Sequence, residues 1–212
     1  MQASSKGVNS AGLITKSATR EYELYFRCHA DSNNRGPATV RRQFPQSNKR
    51  IQFNPANLSF HPVESVGKNP SVPSLIVPWA TAGLMYCTDC HNNDQGPHGS
   101  AYTPILERQL LLTDNSSESA ANYALCYKCH SRTSVLANQS FKYHKKHISD
   151  VKAACTTCHD PHGVANNTHL INFNTAYVTA SSNGKSEFVD KGTFHGNCSL
   201  RCHGKDHKAL SY

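Results

Sequence analysis

The chain has little of what a protein-only core is built from. Of its 212 residues, 37 % are apolar even with tyrosine counted, one is tryptophan and two are methionine, Met1 and Met85. A core from that stock is thin for a chain this long, so cohesion should come from something other than apolar side chains. Long hydrophobic runs are also missing. The most apolar stretch, Val72 to Met85, is broken by Pro73 and Pro78, which excludes a membrane-spanning helix from it. Residues 1–20 are polar and rich in Ser and Ala, with none of the apolar region of a secretory signal.

Cysteine and histidine are present in strength. Eight of the nine cysteines fall in pairs, and each pair is followed at once by histidine: Cys87-Thr-Asp-Cys90-His91, Cys126-Tyr-Lys-Cys129-His130, Cys155-Thr-Thr-Cys158-His159 and the stretched Cys198-Ser-Leu-Arg-Cys202-His203. A disulfide scaffold explains neither the odd count nor the histidines. Zinc is bound by Cys-x-x-Cys pairs but needs no histidine abutting each one. Covalent c-type haem explains both. Two thiols one short turn apart add to the two vinyl groups of one porphyrin edge, and the next side chain, an imidazole, binds the iron. Four haems are expected, held by Cys87, Cys90, Cys126, Cys129, Cys155, Cys158, Cys198 and Cys202, with His91, His130, His159 and His203 as first axial ligands. Four apolar porphyrins would make up for the thin core and tie folding to the cofactor.

The formal charge is +8. That invites a nucleic-acid reading. Each haem, however, brings two propionates against one net positive charge on a ferric core, so four would remove about four units and their reduction about four more. The basic excess then reads as compensation for the cofactors, and no nucleic-acid partner is expected. Lys142, Lys145 and Lys146 fit propionate pairing or plain solvation. Thioether attachment happens outside the cytoplasm, so an exported protein is expected, at the cell surface or in the periplasm, with its signal removed.

The chain also repeats itself. Residues 22–30, Tyr-Glu-Leu-Tyr-Phe-Arg-Cys-His-Ala, align without a gap on 123–131, Tyr-Ala-Leu-Cys-Tyr-Lys-Cys-His-Ser. Tyr25 stands where Cys126 stands, so Cys28 and His29 form a motif that has lost its leading thiol. Each half runs motif, free histidine, motif, Pro-His-Gly, a tandem repeat over roughly 22–110 and 120–178. The expected organisation is an N-terminal arm (1–20), a first half (21–112), a second half (113–180) and a C-terminal segment (181–212). The insert at about 31–57 reads as a surface loop. Fold class should be mostly irregular coil with short helices and at most a small β-hairpin, moulded onto haems. Leu106–Leu112 reads as a short helix or strand, Asn122–Ser131 as a helix carrying its motif, and 171–190 as a hairpin turning at Ser181–Gly184.

Thirteen histidines exceed the four that follow thiol pairs. With so little methionine, histidine is the expected second ligand throughout, giving low-spin iron with no open position. First choices are His61, His98, His147 and His162. His98 and His162 precede glycine, which lets the backbone approach a haem face. His61 precedes proline, which stiffens it. His144 lies one helical turn from His147, so the two can serve different haems. His29 and His207 are further candidates, whereas His169, His195 and His207 read first as surface histidines. Cys28 with His29 admits a fifth haem on one thioether, or none at all.

The run from Tyr123 to Val164, with CYKCH, YHKKH and CTTCHDPHG, resembles the doubled Cys-x-x-Cys-His multihaem cytochromes, and residues 22–30 and 86–99 extend the resemblance over most of the chain. By haem number, size and sparse regular structure it also resembles the extracellular tetrahaem filament cytochromes of the OmcE type. That resemblance implies electron conduction along stacked haems in a head-to-tail homopolymer, with a ligand lent between subunits. Partners would be other redox proteins or extracellular acceptors. A monomeric periplasmic shuttle is the alternative. A multihaem reductase would need a vacant iron position, which the surplus of histidines argues against.

Overall fold

The computed structural model describes residues 5–31, 38–92 and 98–212. Coil dominates them, with short helices, small sheets and no barrel, as the composition led us to expect. Residues 5–20, within the expected arm, form a small hairpin. β1 (Gly7–Val8) and β2 (Ile14–Thr15) pair antiparallel. The Asn9 side chain accepts from the N–H groups of Ala11 (3.1 Å) and Leu13 (2.9 Å), and Gly12 takes φ +83° at the turn. An Asx turn followed by a left-handed glycine reverses the chain locally, and the reversed segment packs on α1 (Glu21–His29). Glu23 starts that helix by accepting from the backbone N–H groups of Thr19 (2.6 Å) and Arg20 (3.1 Å), satisfying donors that a helix start leaves open. Cys28 lies exposed at its last turn.

The insert is more than a surface loop. It carries α2 (Lys49–Gln52), and Gln52, Phe53 and Asn57 are buried. Arg42 reaches into the second half, donating to the carbonyls of Thr156 (2.7 Å) and Asn172 (2.8 Å), with Asp160 3.6 Å away. Its polar residues are thus consumed as donors to buried carbonyls and carboxylates, which composition alone does not distinguish from solvation. β3 (Ser59–Phe60) pairs with β4 (Gly163–Val164) and locks the two halves together. Gly163 is required there: a Cβ on it would lie 1.9 Å from the Gln52 carbonyl oxygen.

Three small apolar clusters replace one large core. Phe26, Ala30, Phe53 and Val63 form the first; Leu106, Leu110, Tyr123, Leu125, Ile148 and Ala154 the second; Ile171, Phe173, Val178 and Leu200 the third. Motif cysteines edge each one: Cys87 the first, Cys90, Cys126 and Cys155 the second, Cys158, Cys198 and Cys202 the third. The Leu106–Leu112 segment takes no regular structure but contributes two side chains to the second cluster. The expected helix at 122–131 shrinks to α3 (Ala124–Tyr127), followed by α4 (Arg132–Leu136) with Ser131 as its cap.

The C-terminal sheet differs from the expected hairpin. β5 (Val178–Thr179) and β6 (Glu187–Asp190) both pair with β7 (Gly196–Cys202), and β8 (Lys205–Ser211) pairs with β7 as well. A strand has two edges. β8 takes one along most of its length, so β5 and β6 share the other end to end. The turn at Ser181–Gly184 joins two collinear strand segments, and the true hairpin is β7–β8, which holds the fourth cysteine pair.

Candidate haem centres

Three of the four motifs take the turn that the attachment chemistry requires. Cys87–Asp89 is a 3₁₀ turn, Cys126 lies in α3, and Cys155–Cys158 forms α5. In each, the N–H of the following histidine donates to the carbonyl of the first cysteine, His91 to Cys87 (2.9 Å), His130 to Cys126 (3.0 Å) and His159 to Cys155 (3.0 Å). All nine cysteines are unpaired thiols. Burial pushes the Cys87 and Cys90 thiols up to about 12, so they are neutral. Among the described residues, no cluster of three or more His, Cys, Asp or Glu side chains is arranged to hold a bare metal ion.

The imidazoles are aimed by hydrogen bonds from their other nitrogen. Nδ1 of His91 donates to the Ile105 carbonyl (2.8 Å), that of His159 to His169 (2.9 Å), that of His61 to Pro161 (2.5 Å) and that of His147 to Tyr143 (2.8 Å). A carbonyl can only accept, so Nε2 is left with its lone pair free for iron. His130 Nδ1 bonds the Ser74 hydroxyl at 2.8 Å. Burial keeps four rings neutral: His130, His159 and His162 are pulled down to about 4 and His144 to about 3, with neighbouring cations and histidines adding to the effect. Neutral imidazole is the form that ligates.

The rings stand in facing pairs. Ring centres are 6.3 Å apart for His91 and His162, whose planes differ by 3°, and 6.3 Å for His29 and His98. They are 6.4 Å apart for His144 and His159 and for His147 and His207. An iron between two imidazole nitrogens, with bonds of about 2 Å each, holds ring centres about 6 Å apart. The gaps fit that group. His61 lies close enough to His130 to depress its basicity after burial has done so. His61, His98, His147 and His162 thus each stand near another histidine, and so do His29, His144 and His207.

His203 does not. Its Nε2 donates to Asp114 Oδ2 at 2.7 Å, although it directly follows the fourth cysteine pair. His169 contacts Asp190 (3.2 Å) and His195 bonds the nearby Thr193 carbonyl. Asp160 has Arg42 at 3.6 Å and His162 at 3.6 Å. Burial would raise its carboxyl, but the hydrogen bond and charges around it bring it down to about 2. With His162 neutral near pH 7, Arg42 is the standing countercharge. Arg42, Ser74 and Asp114 carry no motif, and Asp160 sits in one without being singled out by it. Only their long-range partners reveal that they position the ligand-bearing segments.

Consecutive motifs are neighbours in space. Cys90 lies in the fields of Cys126 and Cys129, the Cys126 and Cys155 sulfurs lie within hydrogen-bond reach of each other, and Cys158 lies beside Cys198 and Cys202. A family model described as outer membrane cytochrome MtrC/MtrF-like, domains II/IV, matches residues 10–170. No curated protein and no solved structure matches the chain.

Proposed function

The chain belongs to the outer membrane cytochrome MtrC/MtrF-like family, and we propose that it relays electrons at the outer face of the cell through a row of bis-histidine c-type haems. Bound haem supplies a one-electron Fe(III)/Fe(II) couple. The residues do the rest. The observation that carries the reading is the unbroken succession of thiol pairs along the three apolar clusters, each beside the next. One histidine on each side of a gap would fill both axial positions of an iron there, which supports a carrier over a reductase. Four haems rest on the complete pairs. The facing of His29 and His98 at 6.3 Å, with Cys28 preceding His29, supports a fifth on a single thioether. His61 with His130, and the four facing pairs, then account for ten histidines within one chain.

That intramolecular use bears on assembly. A head-to-tail filament would need a histidine left over to lend to the next subunit and would gain from an N-terminal segment free to pack against it. The rings pair inside the chain, and residues 5–20 fold back on α1. We therefore favour a single-chain carrier that exchanges electrons with other redox proteins or extracellular acceptors. The test is the optical spectrum of purified protein with and without carbon monoxide. A low-spin spectrum in both redox states, unchanged by the gas, is expected. A high-spin fraction that binds it stoichiometrically would instead mark an open iron and a reductase.

A further inference from the structure

We propose that Ser74 sets the potential of the haem whose iron His130 binds, by accepting the Nδ1–H of that ring on its hydroxyl. The inference rests on the haem reading above and adds to it a residue outside every cysteine motif.

The acceptors behind the ligand rings are not alike. His91 and His159 donate from Nδ1 to main-chain carbonyls, of Ile105 at 2.8 Å and of His169 at 2.9 Å. His61, which stands near His130, does the same to Pro161. Of the three motif histidines on helical turns, His130 alone has a side chain there, the Ser74 hydroxyl at 2.8 Å. A hydroxyl can donate or accept. Iron decides the direction. Were the hydroxyl to donate, the ring hydrogen would sit on Nε2 and close it to iron. With Nε2 on iron, Nδ1 carries the hydrogen and Ser74 accepts it.

The acceptor governs how much electron density the ring gives the metal. A pull on Nδ1–H raises the basicity of Nε2, and a more basic ligand favours Fe(III) and lowers the potential. An amide carbonyl, polarised by its nitrogen, accepts more strongly than an alcohol. Ser74 therefore gives His130 a weaker pull than the carbonyls give His91 and His159, and a stronger one than no partner would give. It acts on the iron only through His130 and is a positioning residue. Because the acceptor is a side chain, substitution can remove it, as it cannot remove a carbonyl.

The main chain holds residue 74 in place whatever its side chain. The Ser74 carbonyl accepts from the Ser131 N–H at 2.6 Å, the Ile76 N–H donates to the Cys129 carbonyl at 3.1 Å, and Leu75 forms an antiparallel bridge with His130. Ser74 is 7 % exposed, which leaves little room for water to take the place of the hydroxyl. The motif it serves lies inside the row, with Cys126 close to Cys90 on one side and to Cys155 on the other. A potential set there acts on electrons passing in either direction.

The test compares Ser74→Ala and Ser74→Thr in the full chain, after intact mass has shown both to carry the wild-type number of haems. Each is followed by redox titration in the visible. Ser74→Ala should raise the midpoint of one haem and leave the others in place. Its reduced form should be favoured by about tenfold, which for one electron is about 59 mV. The chain should stay low-spin and bind no carbon monoxide. Ser74→Thr restores the hydroxyl and should titrate as wild type. Unmoved midpoints in Ser74→Ala, a shift shared by all haems, or a Ser74→Thr chain that behaves as the alanine variant would overturn the proposal. So would high-spin iron in Ser74→Ala, because the hydroxyl would then be a tether for the ring and not a control on the metal. Should Ser74→Ala fail to accumulate, Ser74→Cys puts a weaker acceptor in nearly the same space and should raise one midpoint by less; no rise would equally overturn it. A wild-type chain with no covalent haem would refute the underlying reading, whereas a haem-loaded chain with unmoved midpoints would refute this assignment alone.

Discussion

Replacing Gly163 by alanine should misplace His61 and His162, two of the proposed axial ligands, without touching either. The new Cβ would sit 1.9 Å from the Gln52 carbonyl oxygen, 2.9 Å from its carbon and 3.0 Å from Phe60 Cβ. Two of these are backbone atoms, which cannot rotate away as a side-chain tip can. Overpacking a close contact costs about 1–3 kcal/mol and occasionally more. Here β3 and β4 must separate, which adds strand hydrogen bonds of about 1 kcal/mol each. A loss of about 3 kcal/mol is therefore expected, and for a chain of this size that lowers Tm by roughly 6–12 °C. The spectroscopic effect is more telling. The His61 N–H donates to the His162 carbonyl at 3.0 Å, and the His61 ring is aimed by the Pro161 carbonyl. Pushing β4 off β3 misaligns both rings, so Gly163→Ala should show high-spin iron that Gly67→Ala does not. Gly67 is the control because its nearest neighbour to a new Cβ is 3.9 Å away. Thermal melts followed in the far ultraviolet and the visible would decide. A Gly163→Ala chain that melts within 2 °C or so of wild type and keeps its low-spin spectrum would refute the role given to the β3–β4 contact.

Two further changes probe buried polar groups. Burial holds the Glu64 carboxyl up at about 7, with Arg50 pulling the other way, so the folded chain keeps a proton that an unfolded carboxyl releases near 4.3. That stability is full below about pH 4.3 and is lost as pH rises through 7; Glu64→Gln should flatten the fall in Tm over that window, and an unaltered slope would contradict it. The Tyr123 hydroxyl is buried with no hydrogen-bond partner among the described residues. Tyr123→Phe removes an unsatisfied group and should raise stability by about 1 kcal/mol; a lower Tm would show that the hydroxyl is in use.

The cofactor chemistry was legible in the sequence because covalent attachment imposes a local pattern, and the scarcity of apolar residues pointed to coil wrapped on something else. What was not legible lies in long-range polar contacts. Arg42 looked like part of a solvated insert, yet its guanidinium spans the Thr156 and Asn172 carbonyls. The glycine of Pro-His-Gly was expected to admit a haem face; at Gly163 it admits the Gln52 carbonyl. The first Pro-His-Gly begins at Pro97, which lies outside the described residues. Asp114 has no sequence signature at all, since its three donors come from residues at least forty positions away. His203 follows its cysteine pair as the other three histidines do, but that pair lies on a strand and the ring bonds Asp114, which no local pattern announces. The segment 171–190 reads as a hairpin because a turn between two β-prone runs looks the same whether the strands fold on each other or lie end to end, as β5 and β6 do along β7.

Intact mass of the denatured, purified protein tests the central claim most directly, because thioether-bound haem survives denaturation and noncovalent ligands do not. The account predicts the 23.3 kDa polypeptide plus five haem increments, the fifth from Cys28. Four increments would remove the single-thioether site and leave the rest standing. A polypeptide mass with no haem at all, in a colourless or zinc-containing preparation from a host that matures c-type cytochromes, would contradict the account.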